Sequence, residues 1–276
     1  MTAIVTWNIQ CGKGCDGVTD LPRIALVVRA MGEADVICLQ EVARNDAGIA
    51  GGADQAAELE TLFPGYRGVF GAGLDRIQVG SAKRRQFGNM ILSRLPVLQV
   101  FHHLLPHPPE PGIKHMQRAA VETVVQSRVG ALRVVTTHVE YFSARHRAAQ
   151  IARLQLLQEE AAGNSAAPAA PGNTPYDPVP RPASLVLCGD FNLLPRDTEY
   201  ELLFQDRLLD AWRVSRGDEP HPPSTGLYDR VQWPMGGHCR DYFAVTADVA
   251  VRIRSVEMDA QTDASDHQPL RLVIGD

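Results

Sequence analysis

The apolar run from Ser184 to Leu187 breaks into Cys188-Gly189-Asp190-Phe191-Asn192 and then Leu194-Pro195, a turn signal. A strand that ends this way carries Asp190 and Asn192, two residues apart, on one side of the chain at the rim of a sheet, where a ligand can reach them. The pattern recurs. Ile4-Val5-Thr6-Trp7-Asn8 has the β-branched and aromatic character of a strand and breaks at a loop holding Gly12 and Gly14, so Asn8 sits at a strand end. Val36-Ile37-Cys38-Leu39 is uninterruptedly apolar, the mark of a strand buried on both faces, and ends in Gln40-Glu41. The weight of the pattern depends on whether the fold sends these strand ends to the same rim.

The segments between strands narrow the choice. Asp20 offers an N-cap, Pro22 fits a first turn, and Ile24, Val27, Val28 and Met31 recur at helical spacing before Gly32. Residues 54 to 63 read as a short helix stopped by Pro64-Gly65, and Tyr66 to Phe70 resumes strand character. Gly73 to Gln86 reads as a polar loop whose Lys83, Arg84 and Arg85 are either solvated or an anion-attracting rim. Phe87 to Arg94 is a strand, and 102 to 115, rich in His and Pro, a long surface loop. Arg118 to Val125 and Leu132 to Val139 form a hairpin about Ser127-Arg128-Val129-Gly130, the second run ending in Thr137-His138. Ser143 caps a helix with Ile151, Leu154 and Leu157 on its apolar side, which gives way to an insertion loop at 161–183, too poor in apolar residues to form a core. A helix follows near 198 to 204, then a Pro-rich segment at 218–237. Arg240 to Thr246 and Val249 to Val256 read as a second hairpin, and Leu270 to Ile274 as a last strand. Antiparallel hairpins in two similar halves favour a two-sheet sandwich with helices outside over a parallel doubly wound sheet, which needs a crossover helix between most strands.

Length and composition set limits. The chain of 276 residues, 45% hydrophobic, can bury one large core, and we read it as a single domain spanning 1–276. With 27 Lys plus Arg against 32 Asp plus Glu, it is not built to coat nucleic acid by bulk charge, although a local basic cleft is compatible. No signal peptide, membrane span or anchor is visible, and five sparse cysteines suit reduced thiols, so the expected setting is cytoplasmic and the expected state a monomer. Cys11 and Cys15 lack a second pair at metal-binding spacing, which leaves them ordinary loop thiols.

The polar residues at strand ends are Asn8, Glu41, His138, Asp190, Asn192, Asp241, Asp266 and His267. Hard oxygen ligands of this kind suit Mg²⁺ or Mn²⁺ rather than zinc, and four carboxylates would repel one another without a cation.

Trp7-Asn8, Leu39-Gln40-Glu41-Val42, Gly88-Asn89-Met90-Ile91-Leu92-Ser93, Thr137-His138, Gly189-Asp190-Phe191-Asn192, Arg240-Asp241-Tyr242-Phe243 and Ser265-Asp266-His267-Gln268-Pro269 resemble, in order, the motifs of the endonuclease/exonuclease/phosphatase (deoxyribonuclease-I-like) superfamily. The resemblance implies a four-layer α/β/β/α sandwich, two mixed sheets packed face to face with helices outside. It also implies a metal-dependent phosphoesterase. Glu41 resembles the principal metal ligand, with Asn8 beside it and Asp266 contributing. His267 resembles the histidine that activates or orients the attacking water, and Asp241 the carboxylate that holds its ring. Asp190 and Asn192 resemble the pair that positions the nucleophile and stabilises the transition state; sequence leaves open whether Asp190 or His267 is the base. His138 resembles a second histidine donating to a phosphate oxygen, placing the chain with the histidine-bearing branches. Arg118 and Asn89 resemble phosphate contacts, and an arginine opening a strand is equally an ordinary edge residue.

The favoured substrate is DNA, RNA or a nucleotide, ahead of a sphingomyelin-like or inositol-phosphate head group; a non-catalytic binding protein is disfavoured because no expected catalytic position is replaced. A nuclease groove would draw on Lys83, Arg84, Arg85, Arg145, Arg147 and Trp233, which form no dense stripe in the sequence.

Overall fold

The computed structural model describes residues 1–205 and 207–275. The elements run β1 (Thr2–Asn8), α1 (Leu21–Ala30), β2 (Val36–Arg44), α2 (Gln55–Leu62), β3 (Arg67–Ile77), β4 (Arg84–Ser93), β5 (Val97–Leu104), β6 (Ala119–Ser127), β7 (Gly130–His138), α3 (Ala144–Ala166), β8 (Leu185–Asp190), α4 (Thr198–Leu203), β9 (Leu209–Asp210), α5 (Ala211–Arg216), β10 (Asp241–Val245), α6 (Ala247–Ala250), β11 (Ile253–Met258) and β12 (Leu270–Ile274). They build two six-stranded sheets, ordered β11-β12-β1-β2-β4-β3 and β5-β6-β7-β8-β10-β9. Each is antiparallel except for one central parallel pair, β1 with β2 and β7 with β8. In those pairs Asn8 lies opposite Gln40 and His138 opposite Asp190, so both parallel pairs end in polar residues.

Side-chain alternation along the strands makes the layers. Ile4 and Cys38 face Val134, Val186 and Phe243 between the sheets. Their chain neighbours Val5, Trp7, Ile37 and Leu39 point outward and pack with Ile24 and Val28 of α1 and Leu59 of α2. On the second sheet Val135 and Leu187 meet Ile151, Leu154 and Leu157 of α3. Each such side chain, fully buried, contributes about 1.5–3 kcal/mol, so three apolar layers hold the sheets together and leave the rim free for polar groups. The helices start as their sequences dictate: the Asp20 carboxylate accepts from Arg23 N at 2.9 Å and the Ser143 hydroxyl from His146 N at 2.9 Å. All five cysteines are free thiols.

The structure departs from the sequence reading in five places. The strand carrying Gln40 and Glu41 does not end there: β2 continues to Arg44 across a register break between Leu39 and Val42, so Glu41 sits on a bulge. Gly73 to Gln86 is mostly the β3–β4 hairpin, because Leu74, Asp75, Arg76 and Ile77 pair with Phe87, Gln86, Arg85 and Arg84. A strand precedes the His- and Pro-rich loop, since Val97–Leu104 pairs with β6. Helix α3 continues to Ala166, six residues into the expected insertion loop. Finally, β10 and β11 form no hairpin. The turn of α6 between them carries the chain from the second sheet to the edge of the first, where β11 pairs with β12.

Gly189 shows why the Asp190 strand needs its glycine. Its φ is +137°, and a Cβ there would stand 2.0 Å from the carbonyl oxygen of Thr137 in the neighbouring strand. We predict that Gly189→Ala lowers unfolding stability by about 3 kcal/mol or more, read from chemical denaturation; a near-native midpoint would show that the strands part without strain.

On the outer face of the second sheet, Glu122 is fully buried and ion-paired to Arg133 (2.8 Å), Arg181 (3.0 Å) and His103 (2.9 Å). Burial alone would raise its carboxyl, but these three donors outweigh that and hold it well below the ordinary glutamate range. A depressed folded-state value gives stability that is complete above the unfolded glutamate value and disappears as pH falls through and below it. Denaturation midpoints measured from neutral pH downward should therefore fall, with a smaller slope in Glu122→Gln than in wild type.

Candidate active site

The C-terminal ends of the two parallel pairs meet across the sandwich. Asn8 closes β1 and is 1% exposed; its Nδ2 donates to Glu41 Oε1 (3.1 Å) and to Asp190 Oδ2 (3.0 Å). Its Oδ1 accepts from Gln10 N (3.1 Å). Glu41 reaches this position from its bulge with φ of +59°, a strained conformation for a glutamate. Its carboxyl is pushed up to about 7 by burial and by the negative charge of Asp266.

Asp190 is the hub. Oδ1 accepts from Asn192 N (2.9 Å), and Oδ2 lies 3.3 Å from His138 Nε2 and 3.6 Å from His267 Nε2. Burial would raise its carboxyl, yet the facing imidazoles and the N–H donors lower it. His138 is itself held down to about 3 by burial and by the Arg118 charge, so it is neutral and the charge that keeps Asp190 ionised is on His267. Asn192, at φ +49°, donates from Nδ2 to Val139 O (3.1 Å) and to His138 Nε2 (3.0 Å), and its Oδ1 accepts from Arg240 Nη1 (3.3 Å). With Nε2 accepting, the proton of neutral His138 lies on Nδ1, 3.7 Å from Glu41 Oε1.

Asp241 begins β10 directly opposite Asp190. Its Oδ2 accepts from His267 Nδ1 (2.8 Å) and from Ser224 Oγ (2.7 Å). Burial and the Asp190 charge push its carboxyl up to about 6 despite His267. Burial would lower His267, but Asp241, Asp190 and Asp266 raise it well above the usual histidine range. The loop holding it is tied to β1, for Trp7 Nε1 donates to His267 O (2.8 Å) and Ser265 Oγ to Asn8 O (2.7 Å). Asp266 Oδ2 accepts from Trp233 Nε1 and Gln232 Nε2, both at 3.0 Å. The ligand atoms of Asp190, Asp241 and His267 lie within 4.8 Å of one another, a grouping that can hold a divalent metal ion.

All eight strand-end residues thus come together. Asn89 and Arg118 line a small cleft that they share with His138. Asn89 Nδ2 donates to Ala119 O (2.9 Å); Arg118 is 7% exposed and paired with Glu140 at 3.3 Å, which removes the reading of it as a solvated edge residue. Trp233 is buried and held by Asp266 rather than standing free for a base. Of the named cations, Arg84 pairs with Asp75 (2.9 Å), Arg85 with Asp46 (3.4 Å) and Arg147 with Glu199 (3.5 Å), while Arg145 donates to Pro109 O (2.9 Å). Sequence reasoning missed Ser224, Gln232, Glu140 and the placement of Arg240. Arg240 stood inside a recognised motif, but nothing in the Pro-rich 218–237 segment signals that Ser224 and Gln232 fold back onto Asp241 and Asp266.

A model of the Endonuclease/Exonuclease/phosphatase family matches residues 5–267. The chain belongs to that family. With the grouped Asp190, Asp241 and His267, membership makes this endonuclease/exonuclease/phosphatase protein a phosphoester hydrolase. Among solved structures, an endonuclease/exonuclease/phosphatase from Beutenbergia cavernae DSM 12333 is 24% identical, with 98% of this chain and 70% of that one covered and a TM-score of 0.68. The 3′ phosphatase NExo from Neisseria, bound to a product DNA hairpin, is 18% identical over the whole of both chains, with a TM-score of 0.66. The mannosyl-6-phosphatase Bt3783 of Bacteroides thetaiotaomicron is 13% identical, also over both whole chains, with a TM-score of 0.65. At these identities the likeness is one of fold. No curated protein matches the chain in sequence. Among the described residues no helix is long and apolar enough to cross a membrane.

The indole N–H on Asp266 gives a direct test. If Asp266 helps to hold a divalent metal, Trp233→Phe, which keeps an aromatic ring and removes the donor, should raise the metal concentration for half-maximal phosphodiesterase activity about 10- to 100-fold, with turnover at saturating metal much less affected. An unchanged metal dependence would remove Trp233 from the support of Asp266.

Proposed function

We propose that this protein is a Mg²⁺- or Mn²⁺-dependent phosphoesterase whose cation is held by Glu41, Asn8 and Asp266, and whose substrate is DNA, RNA or a nucleotide. The observation that carries the reading is Asp190, buried between Asn8, Asn192, His138 and His267 and one amide away from Glu41. The donor set fits the metal: Glu41 and Asp266 offer carboxylate oxygens, Asn8 would offer its Oδ1 once the amide turns from Gln10 N, and the Glu41 carboxyl, crowded by Asp266, has no cationic group bonded to it. Asp190, Asp241 and His267 fit it less well, because both His267 nitrogens face carboxylates and Nδ1 already donates to Asp241.

A bound divalent cation would polarise a phosphoryl oxygen and shield the charge that develops on it. Asp190 accepts the proton of the attacking water; the donors from Asn8 and Asn192 fix its carboxylate and hold it ionised. His267, oriented through Nδ1 by Asp241, directs Nε2 toward the same gap and stabilises phosphoryl oxygen charge. Neutral His138, its Nε2 bonded by Asn192, keeps its N–H on Nδ1 facing Glu41, and Arg118, fixed by Glu140, adds positive charge behind His138.

A cleft of about 500 Å³ opens next to Asn192, lined by Tyr141, Trp233, His238 and Arg240. The Arg240 guanidinium stacks 5.1 Å from the ring centres of both Tyr141 and Trp233. The exposed Tyr141 ring with the Arg240 guanidinium over it, beside the site, favours a nucleoside or short single strand. The acid-paired arginines weigh against tracking a long duplex. The mannosyl-6-phosphatase likeness keeps a sugar phosphate as the competing substrate.

Chelator should abolish hydrolysis of bis(p-nitrophenyl) phosphate and Mg²⁺ or Mn²⁺ should restore it; full activity in chelator would sink the metal mechanism. Asp190→Asn and His267→Ala should each lower kcat at least about 10³-fold with the fold intact, and near-native turnover in either would remove that residue from its role. A panel of DNA, RNA, nucleotides, sugar phosphates, sphingomyelin and inositol phosphates, run for wild type beside His267→Ala, tests the substrate. Activity on nucleotides or single strands that is lost in the variant supports the reading; loss confined to a sugar phosphate or lipid head group contradicts it.

A further inference from the structure

Away from the catalytic rim, the loop between β5 and β6 folds over the start of α3 and brings three histidines together. The ring centres of His107 and His115 are 5.6 Å apart, those of His107 and His146 6.4 Å, and those of His115 and His146 4.9 Å. A point equidistant from the three lies about 3.3 Å from each, and an imidazole bound to zinc places its ring centre about 3.2 Å from the metal. The spacing therefore leaves room for one ion among the three rings.

His146 supplies a second, independent observation. It is fully buried, and its Nε2 donates to Pro108 O at 2.7 Å. In the neutral ring that bond puts the proton on Nε2 and makes Nδ1 the lone pair, and Nδ1 is buried with no hydrogen-bond partner. An imidazole with one nitrogen donating to a backbone carbonyl and the other unpaired is prepared as a metal ligand. A carboxylate stands beside it: Glu110 Oε2 lies 3.6 Å from His146 Nε2 and accepts from the Ser143 hydroxyl, which itself caps the helix by accepting from His146 N.

We propose that His107, His115 and His146, with Glu110 supplying negative charge, form a binding site for a transition-metal dication of the zinc class, separate from the catalytic centre. Nitrogen-rich donors set this site apart in chemistry from the oxygen-rich rim. The rings are not yet closed on a metal. Among the described residues, the group with ligand atoms already within 4.8 Å is Asp190, Asp241 and His267, so His107 and His115 must rotate inward, and both side chains are exposed. Occupancy would clamp the 105–118 segment to α3. That segment leads directly into Met116 and Arg118, both bonded to Glu140 at 3.3 Å, so the clamp would steady the arginine behind His138.

The test uses untagged full-length protein, stripped with chelator, exchanged into excess Mg²⁺ and titrated with Co²⁺. The site predicts one Co²⁺ per chain with the visible absorption of a low-coordinate cobalt–imidazole centre, displaced by Zn²⁺ and unchanged in Glu41→Gln. The paired variant His107→Ala/His115→Ala alters only exposed side chains and should fold; it should bind Co²⁺ at least about 100-fold more weakly. A wild-type protein with no such spectrum at stoichiometric Co²⁺, or a paired variant that binds as wild type does, would overturn the proposal.

Discussion

One amide group joins the two halves of this molecule where the chemistry is. Asn8 Nδ2 donates at once to Glu41 in its own sheet and to Asp190 in the other. The bond to Asp190 forms only if the sheets are held at one spacing and one stagger, and the layers of apolar packing set both. The parallel pairing of β1 with β2 and β7 with β8 then does the rest, since parallel neighbours end at the same edge. A catalytic rim made from two sheets is thus a consequence of how the sandwich packs.

The second constraint is charge. Four carboxylates, Glu41, Asp190, Asp241 and Asp266, come together where little water reaches. Asp241 is balanced by His267 and Ser224, Asp190 by His267 and two amide-type donors, and Asp266 by the side chains of Trp233 and Gln232. Glu41 alone has only the Asn8 amide and a distant His138, and its carboxyl is accordingly pushed up to about 7 by burial and Asp266. Stability by itself would not retain such a group on a strained bulge. A cation held there, as proposed, would resolve the imbalance and serve the phosphoester chemistry.

The strand ends were legible because local patterns set them: apolar runs that stop at Asn8, His138 and Asp190, and caps at Asp20 and Ser143 that the helices use. The Glu41 bulge was not, because Val42 and Ala43 continue the strand and no glycine marks the left-handed residue. Chain proximity suggested a β10–β11 hairpin, but sheet membership is decided by distant partners, Asp190 to Val186 for one strand and Leu270 to Ile274 for the other. Arg118 was ambiguous for the same reason: its partner Glu140 lies beyond two strands and the turn between them. The groups that orient the acids, Ser224, Gln232 and Trp233, come from a Pro-rich segment with no periodicity to read.

The account turns on where the catalytic cation sits. Calorimetric or electron-resonance titration of Mn²⁺ into Glu41→Gln and His267→Ala beside wild type measures this without turnover. Placement at Glu41, Asn8 and Asp266 predicts that Glu41→Gln loses the site while His267→Ala keeps it with little change in affinity. Loss of Mn²⁺ in His267→Ala with full binding in Glu41→Gln would contradict the account and move the metal to Asp190, Asp241 and His267.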